Sequence, residues 1–360
     1  MTSVVTRPLG PFAAFDGREA LLRRGEEALA RRDYASAVHL LGLAGGHLAA
    51  PHDRTARLMN RAVRELVPRW HFSMLNDDAR NTAYRRAIEA VVRPGDLVLD
   101  IGTGAGLLSL FAARAGARVV TCEVEPLVAA VAEQVVADNG LSDRISVVNA
   151  RSTDLRVGVE LPDRADVLVT EIFDCGLLGE HVLPVLAHAR RELLRPDSRL
   201  VPGSARLWAQ LVDSEQIWAR NSVTEVAGFD LSAFAQLRSL EYFSTYVHQY
   251  EHTPLTDPFP VLDVDFSTRP GPAEVHLEVP VTAGGRAHAV VMWFELALSP
   301  GVTLCNDVAE NPQSHWRQAV QTFDRPLECA AGGTVPLLAV HDGERVLVRP
   351  QQPAGGPATR

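Results

Sequence analysis

The chain contains no lysine; all 35 of its basic residues are arginine, spread over 360 positions. That bias is what a GC-rich genome encodes, so a high-GC bacterial source is expected, and it leaves the chemistry open. Cysteine is scarce as well. Cys122, Cys175, Cys305 and Cys329 lie far apart with no CxxC pair, which excludes a sequence-local zinc site and a disulfide framework and fits a reducing cytoplasm. Clustered basic residues are missing too: a formal charge of -9 without long charged blocks argues against nucleic acid as a partner. The N-terminal stretch MTSVVTRPLGPFAAFDGRE lacks a charged start followed by an apolar core, and no apolar run approaches membrane-spanning length. Secretion and membrane insertion are therefore disfavoured, and no metal is expected.

What is present is enough apolar residue, 46%, to fill the cores of two domains. Residues from about Arg18 to Arg64 read as helices, with Gly25, Tyr34, Ala37 and Ala44 at small and aromatic positions like those of a tetratricopeptide repeat. A single repeat cannot bury its own apolar face, so it must pack on the rest of the chain or on a second subunit. From Pro94 strands and helices alternate: strand 97–102, helix 107–116, strand 117–124, helix 126–140, then strands 144–150 and 165–172. Such alternation implies an α/β fold with a parallel, doubly wound sheet and ligands at the carboxyl ends of its strands. After Pro202 the β-like runs ARLWAQLV, VLDVDF, VHLEVPV, AVVMWFELAL and ERVLVRP predict an antiparallel, barrel-like domain, interrupted by a helical insertion over 214–240. The expected division is 1–66 helical, 67–202 nucleotide-binding, 203–350 barrel, and a disordered tail over 351–360.

Asp100-Ile-Gly102-Thr-Gly104-Ala-Gly106 falls where the first strand of the series meets the first helix. Glycines there let backbone approach a ligand, and a helix start offers free N–H groups. The spacing is GxGxG after an Asp, which favours S-adenosylmethionine over a dinucleotide. Glu123 closes the second strand, where a carboxylate can accept both ribose hydroxyls. Glu125 points to the same face and competes; position at the strand end favours Glu123. Ser152 and Thr153 follow the third strand, where adenine would lie.

Glu171 and Glu180, nine residues apart in VLVTEIFDCGLLGE, follow another strand of the same sheet at its ligand-binding edge. Two carboxylates on one short loop form a fork for a planar cation. A guanidinium suits it, being always charged and offering coplanar N–H donors for bidentate pairing. Arginine is the substrate this predicts.

Several motifs, taken in order, resemble the protein arginine methyltransferase family, most closely its seventh and ninth mammalian members. RWHFSMLNDDARNTAY resembles the N-terminal helix that folds over the cofactor, VLDIGTGAGLLSLFAARAGA its first motif, TEIFDCGLLGE its double-glutamate loop, and Ser314-His315-Trp316 the loop usually written THW. The resemblance runs from about Arg69 to the end of the barrel. It implies that Arg80 holds the methionine carboxylate, with His71 and Met74 lining the site. Asp100, Gly102 and Gly104 then belong to the cofactor loop, Glu123 binds ribose, Glu171 and Glu180 clamp the guanidinium, and His315 and Trp316 close the arginine pocket. The stretch 214–240 is similar to the family's dimerisation arm, so a homodimer is implied. Two departures stand out: MNRAVRELVPRW occupies the place of a YFxxY element found in asymmetric dimethylating members, and Thr153 replaces an adenine-contacting glutamate. The first favours monomethylation. The chain is also similar to a bacterial relative of the ninth member that methylates free L-arginine in natural-product biosynthesis, so free L-arginine is the favoured substrate. Methylation of arginine in proteins is the alternative, and a catalytically silent binding partner the second.

Overall fold

A computed structural model describes residues 17–46, 50, 52–268, 271–307 and 309–351. Residues 1–16 of the helical region, and all of the expected tail except Gln351, lie outside the described residues.

Three helices come first, α1 (Arg18–Ala30), α2 (Tyr34–Leu43) and α3 (Arg54–Leu66). Asp33 and Asp53 start the second and third by accepting the Ser36 and Thr55 N–H groups at 3.2 and 2.7 Å, which satisfies donors that a helix start leaves open. Gly25 is where α1 and α2 close on each other: a Cβ there would lie 2.7 Å from Leu41 Cγ. Leu22, Leu29, Val38, Leu41 and Met59 form a small separate core, capped by Leu127 from outside the three helices. Through Leu127 the helical unit touches the rest of the chain.

Next, α4 (Trp70–Leu75) and α5 (Asp78–Val91) lead into five parallel strands, β1 (Leu97–Ile101), β2 (Arg118–Glu123), β3 (Ile145–Asn149), β4 (Ala165–Thr170) and β5 (Leu194–Val201). Between them run α6 (Leu107–Arg114), α7 (Pro126–Asp138) and α8 (Val182–Glu192). The strand order is β3-β2-β1-β4-β5. The chain moves outward from β1 to β3, then resumes on the other side, an order in which the right-handed crossovers usual for parallel strands place the two sets of helices on opposite faces. This Rossmann-like arrangement puts its switch point between β1 and β4, the place where such sheets bind ligands. The sequence reading stopped short of α8 and β5. β5 is an edge strand, LRPDSRLV, whose Pro196 and charged residues are tolerated only because one side is unpaired.

The remaining strands are β6 (Ser204–Asp213), β7 (Glu225–Val226), β8 (Phe229–Asp230), β9 (Phe243–Thr245), β10 (Thr253–Pro254), β11 (Phe259–Asp265), β12 (Ala273–Pro280), β13 (Gly285–Ser299), β14 (Val302–Cys305), β15 (Gln318–Cys329), β16 (Thr334–His341) and β17 (Val346–Pro350). All their pairings are antiparallel, in one seven-stranded sheet around β6, β13 and β15, one three-stranded sheet, β12-β16-β17, and the isolated β7-β8 hairpin. The expectation of a helical stretch over 214–240 is corrected here. Helix is confined to one turn, α9 (Glu215–Trp218), followed by β7, β8 and a 3-10 turn over Ser232–Leu237. Ala227 and Gly228 both have positive φ, 53° and 84°, a two-residue reversal that forces a hairpin where a helix would need continuity.

One apolar core runs through both sheets. Phe173, just after the first glutamate of the loop, lies 5.8 Å from Phe266 and 6.4 Å from Phe294, while Phe294 meets Trp316 edge-on at 5.1 Å. These rings tie the end of β4 to the antiparallel region, and the functional residues cluster along that seam.

Candidate active site

A cavity of about 1260 Å³ opens at the carboxyl ends of β1, β2 and β4. His71 and Met74 face it from α4; Gly102, Gly104 and Glu123 from the β1 and β2 ends; Ser152 and Thr153 from the loop after β3. Glu171, Glu180, His315 and Trp316 line its other part. Two expected residues do not reach the surface of the cavity. Asp100 sits in the interior of β1, 1% exposed, and accepts the Ser109 hydroxyl at 2.6 Å. It braces the glycine turn from behind, and burial pushes its carboxyl up to about 7. Arg80 is 3% exposed on α5, with its guanidinium bonded to the Glu171 carboxylate and to Asn81 Oδ1.

The glycine turn has the backbone its residues allow: Gly102, Gly104 and Gly106 have φ of 86°, 51° and 84°. A Cβ on Gly102 would stand 2.8 Å from Ile172 Cγ2, so this turn closes against the glutamate loop. Glu123 accepts the Gly104 N–H at 3.1 Å and the Glu125 N–H at 2.9 Å, and remains in the cavity wall. Glu125 instead starts α7, accepting from Leu127 N–H. The two glutamates that strand alternation could not separate are thus separated by helix capping. Across the cavity His71 stacks on Trp70 at 3.9 Å, and burial lowers its imidazole pKa against the pull of Glu123 and Glu171.

The glutamate loop is held from inside. Asp174 accepts the Gly176 and Gly179 N–H groups at 3.1 and 2.9 Å and the Tyr242 hydroxyl at 2.7 Å. Side chains would not fit at either glycine: a Cβ would lie 2.2 Å from the Tyr242 ring at Gly176 and 2.3 Å from the Asp174 carboxylate at Gly179. Leu177 and Leu178 are fully buried, each contributing roughly 1.5–3 kcal/mol to anchoring the loop. Glu180 opens onto the cavity, so its surface is accessible although protein atoms surround it. That crowding, with Glu171 and Asp174 nearby, pushes its carboxyl up to about 7.

Glu171 is contacted on both oxygens, by Arg80 at Oε2 and by His315 Nε2 at 3.7 Å from Oε1. His315 is fixed by Asp77, whose Oδ2 accepts both its backbone N–H and its Nδ1 at 3.0 Å. Burial acts to raise the Asp77 carboxyl, but bonds from His315 and the Arg80 N–H hold it below its ordinary value. The Trp316 indole donates to Phe173 O at 2.9 Å. Asp77, Asp174 and Tyr242 escaped the sequence reading. Asp77 carried a signal, since an Asp opening a helix is a cap, but nothing local shows that its second oxygen meets a residue 238 positions away.

These residues fit S-adenosylmethionine. The glycine turn leaves room beside an acidic strand end suited to a ribose, whereas Arg80, turned to Glu171 beneath the cavity, would have to swing out to meet a ligand carboxylate.

Residues 85–198 match the family model of ribosomal protein L11 methyltransferase (PrmA), and residues 203–345 that of the arginine methyltransferase oligomerization subdomain. Among solved structures, the Trypanosoma brucei PRMT1 enzyme-prozyme heterotetrameric complex with AdoHcy is similar at a TM-score of 0.65 and 28% identity, covering 75% of this chain and 86% of that one. The Arabidopsis thaliana protein arginine methyltransferase 10, at 0.63 and 22%, shows the same fold. Among curated relatives, arginine N(omega)-methyltransferase of Streptomyces achromogenes subsp. streptozoticus is 41% identical over 92% of this chain and 91% of its own length. Protein arginine N-methyltransferase 7 of Rattus norvegicus is 35% identical over 78% of this chain, which spans only 45% of that protein. The chain belongs to the arginine methyltransferase family, and it is an enzyme that uses S-adenosylmethionine.

Gly102→Ala should weaken S-adenosylmethionine binding by tenfold or more in calorimetry, because a left-handed non-glycine residue costs roughly 1–3 kcal/mol and the added methyl meets Ile172.

Proposed function

We propose that this enzyme methylates free L-arginine, giving Nω-methyl-L-arginine. The observation that carries the reading is similarity over nearly the whole of both chains to a relative named for arginine itself, whereas the curated protein arginine N-methyltransferase 7 of Rattus norvegicus is matched over less than half its length. In this reading the chain divides into helical (1–66), cofactor-binding (67–202) and barrel (203–350) parts, with the N-terminal helices a tetratricopeptide-like unit docked on α7 through Leu127.

A guanidinium is a poor nucleophile because its lone pairs are delocalised and its pKa lies above about 12. Glu171 and Glu180 answer this by accepting its N–H groups. They hold positive charge on two nitrogens and leave electron density on the third. S-adenosylmethionine, when bound, supplies a methyl group on a positively charged sulfur. Fixing the nitrogen in line with that carbon contributes roughly 7–11 kcal/mol, more than acid-base help would. The carboxylate of Asp77 accepts the Nδ1–H of His315, which leaves Nε2, 3.7 Å from Glu171 Oε1, open to take up a proton. The proton that the substrate gives up passes to that side.

Incubating the enzyme with S-adenosylmethionine and either free L-arginine or a glycine-arginine-rich peptide tests the reading by mass spectrometry. A single added methyl on the free amino acid supports it. Peptide methylation with free arginine untouched would establish the protein-substrate reading instead, and no transfer to either would mark a silent partner.

A homodimer belongs to the same proposal. The arm exposes Phe229 (71%), Phe234 (65%), Leu237 (74%) and Leu240 (60%), large apolar side chains gathered on one short segment, as at an interaction surface. Phe234→Glu with Leu237→Glu should halve the solution mass in light scattering. A native enzyme that is monomeric throughout its working concentrations would remove the dimer.

A further inference from the structure

Free L-arginine differs from an arginine side chain in a protein by its ionised α-carboxylate and α-ammonium, and each must find a partner as it leaves water. Four arginines line the cavity, Arg69, Arg151, Arg317 and Arg345. Arg69 and Arg151 adjoin Trp70 and Ser152, at the end that suits the cofactor. Arg345 is engaged, donating to Gly179 O at 3.2 Å and lying 3.6 Å from a Glu241 carboxylate oxygen, so it braces the glutamate loop.

Arg317 is different. It directly follows Trp316, lines the same cavity as Glu180 and Cys175, and forms no ion pair with a carboxylate among the described residues. Its guanidinium instead rests over the Tyr246 ring, 5.1 Å from the centroid, and its positive charge is felt by the Cys175 thiol on the glutamate loop. An aromatic ring under a guanidinium restricts its swing while leaving its N–H edges open. The result is an uncompensated fork of donors at the substrate end, beside a cavity already rich in acidic side chains.

We propose that Arg317, seated on Tyr246, binds the α-carboxylate of free L-arginine in bidentate fashion, and so selects the amino acid over guanidines lacking that group. The assignment rests on the free-arginine reading above. It makes Arg317 a specificity residue, remote from the reacting nitrogen: the carboxylate anchors one end of the substrate while Glu171 and Glu180 grip the other.

The test compares L-arginine with agmatine, its decarboxylated analogue, in steady-state assays of the native enzyme, Arg317→Ala and Arg317→Lys. The native enzyme is expected to prefer L-arginine in kcat/KM by roughly 10- to 100-fold, the worth of a charge-assisted bidentate contact. In Arg317→Ala that preference collapses, and the loss for L-arginine falls on KM far more than on kcat. Arg317→Lys restores part of it, because charge returns without the fork. An unchanged preference in Arg317→Ala, or an equal loss on both substrates, overturns the assignment and leaves the free-arginine reading standing. Failure of the native enzyme to methylate L-arginine overturns both.

Discussion

Glu180→Gln should lower methyl transfer on the order of 10²- to 10³-fold, the usual cost of removing one preorganised electrostatic contact, while S-adenosylmethionine binds as before. Glu180 lines the cavity and, among the described residues, makes no hydrogen bond or ion pair with the glycine turn, Glu123 or Arg80. Glu171→Gln should behave differently, although the two residues share one loop. Its carboxylate is the charged partner of Arg80, a guanidinium 3% exposed and fixed on α5. Breaking a buried pair of this kind costs up to about 3–5 kcal/mol. The Glu171 variant should therefore lose turnover, melt several degrees lower, and bind S-adenosylmethionine with altered affinity, because Arg80 loses the group that orients it. Calorimetry, thermal melts and single-turnover transfer on the two variants check this contrast. Near-normal turnover in Glu180→Gln would refute the clamp.

The second large effect is in pH. The Glu180 carboxyl is pushed up to about 7 because the atoms packed round it, then Glu171 and Asp174, oppose its charge. Only its carboxylate form offers a negative charge and two acceptor oxygens to the guanidinium. In the free enzyme kcat/KM should rise about tenfold per pH unit on the acid side and level off near pH 7. The kcat profile should turn at lower pH, since a bound guanidinium stabilises the carboxylate. A kcat/KM profile flat from about pH 5 to 8 would show that Glu180 does not carry this role.

Stability moves the other way. Asp100, ordinarily near 3.8, is raised to about 7 in the folded chain. Between those values the folded state holds a proton that the unfolded state has released, so this stabilising contribution is complete below the unfolded value and fades as pH rises through about 7. Asp100→Asn removes the dependence, and melting curves of the two proteins should converge or cross as pH rises.

Where the sequence spoke clearly, local rules governed. The Gly102-Thr-Gly104-Ala-Gly106 turn, the Pro126 helix start and the apolar run of β1 follow from backbone freedom and burial on both faces, which neighbouring residues fix. The motif order was enough to indicate an arginine methyltransferase. Elsewhere local rules misled. The stretch 214–240 carries apolar residues at spacings a helix could use, yet Ala227 and Gly228 turn it into a hairpin whose apolar side chains, Val226 and Phe229, stay largely exposed.

By itself, then, the sequence determined the parallel sheet, its glycine turn and the pair of acids after β4, because each depends on residues a few positions apart. Only the tertiary structure decided which acid does what. It set Glu123 in the cavity wall and Glu125 on a helix start, joined Asp77 to His315 across 238 positions, and gave Glu171 to Arg80 while leaving Glu180 open. Those pairings are made by helix ends, strand ends and loops meeting at one sheet edge, and desolvation there fixes which carboxyls stay charged.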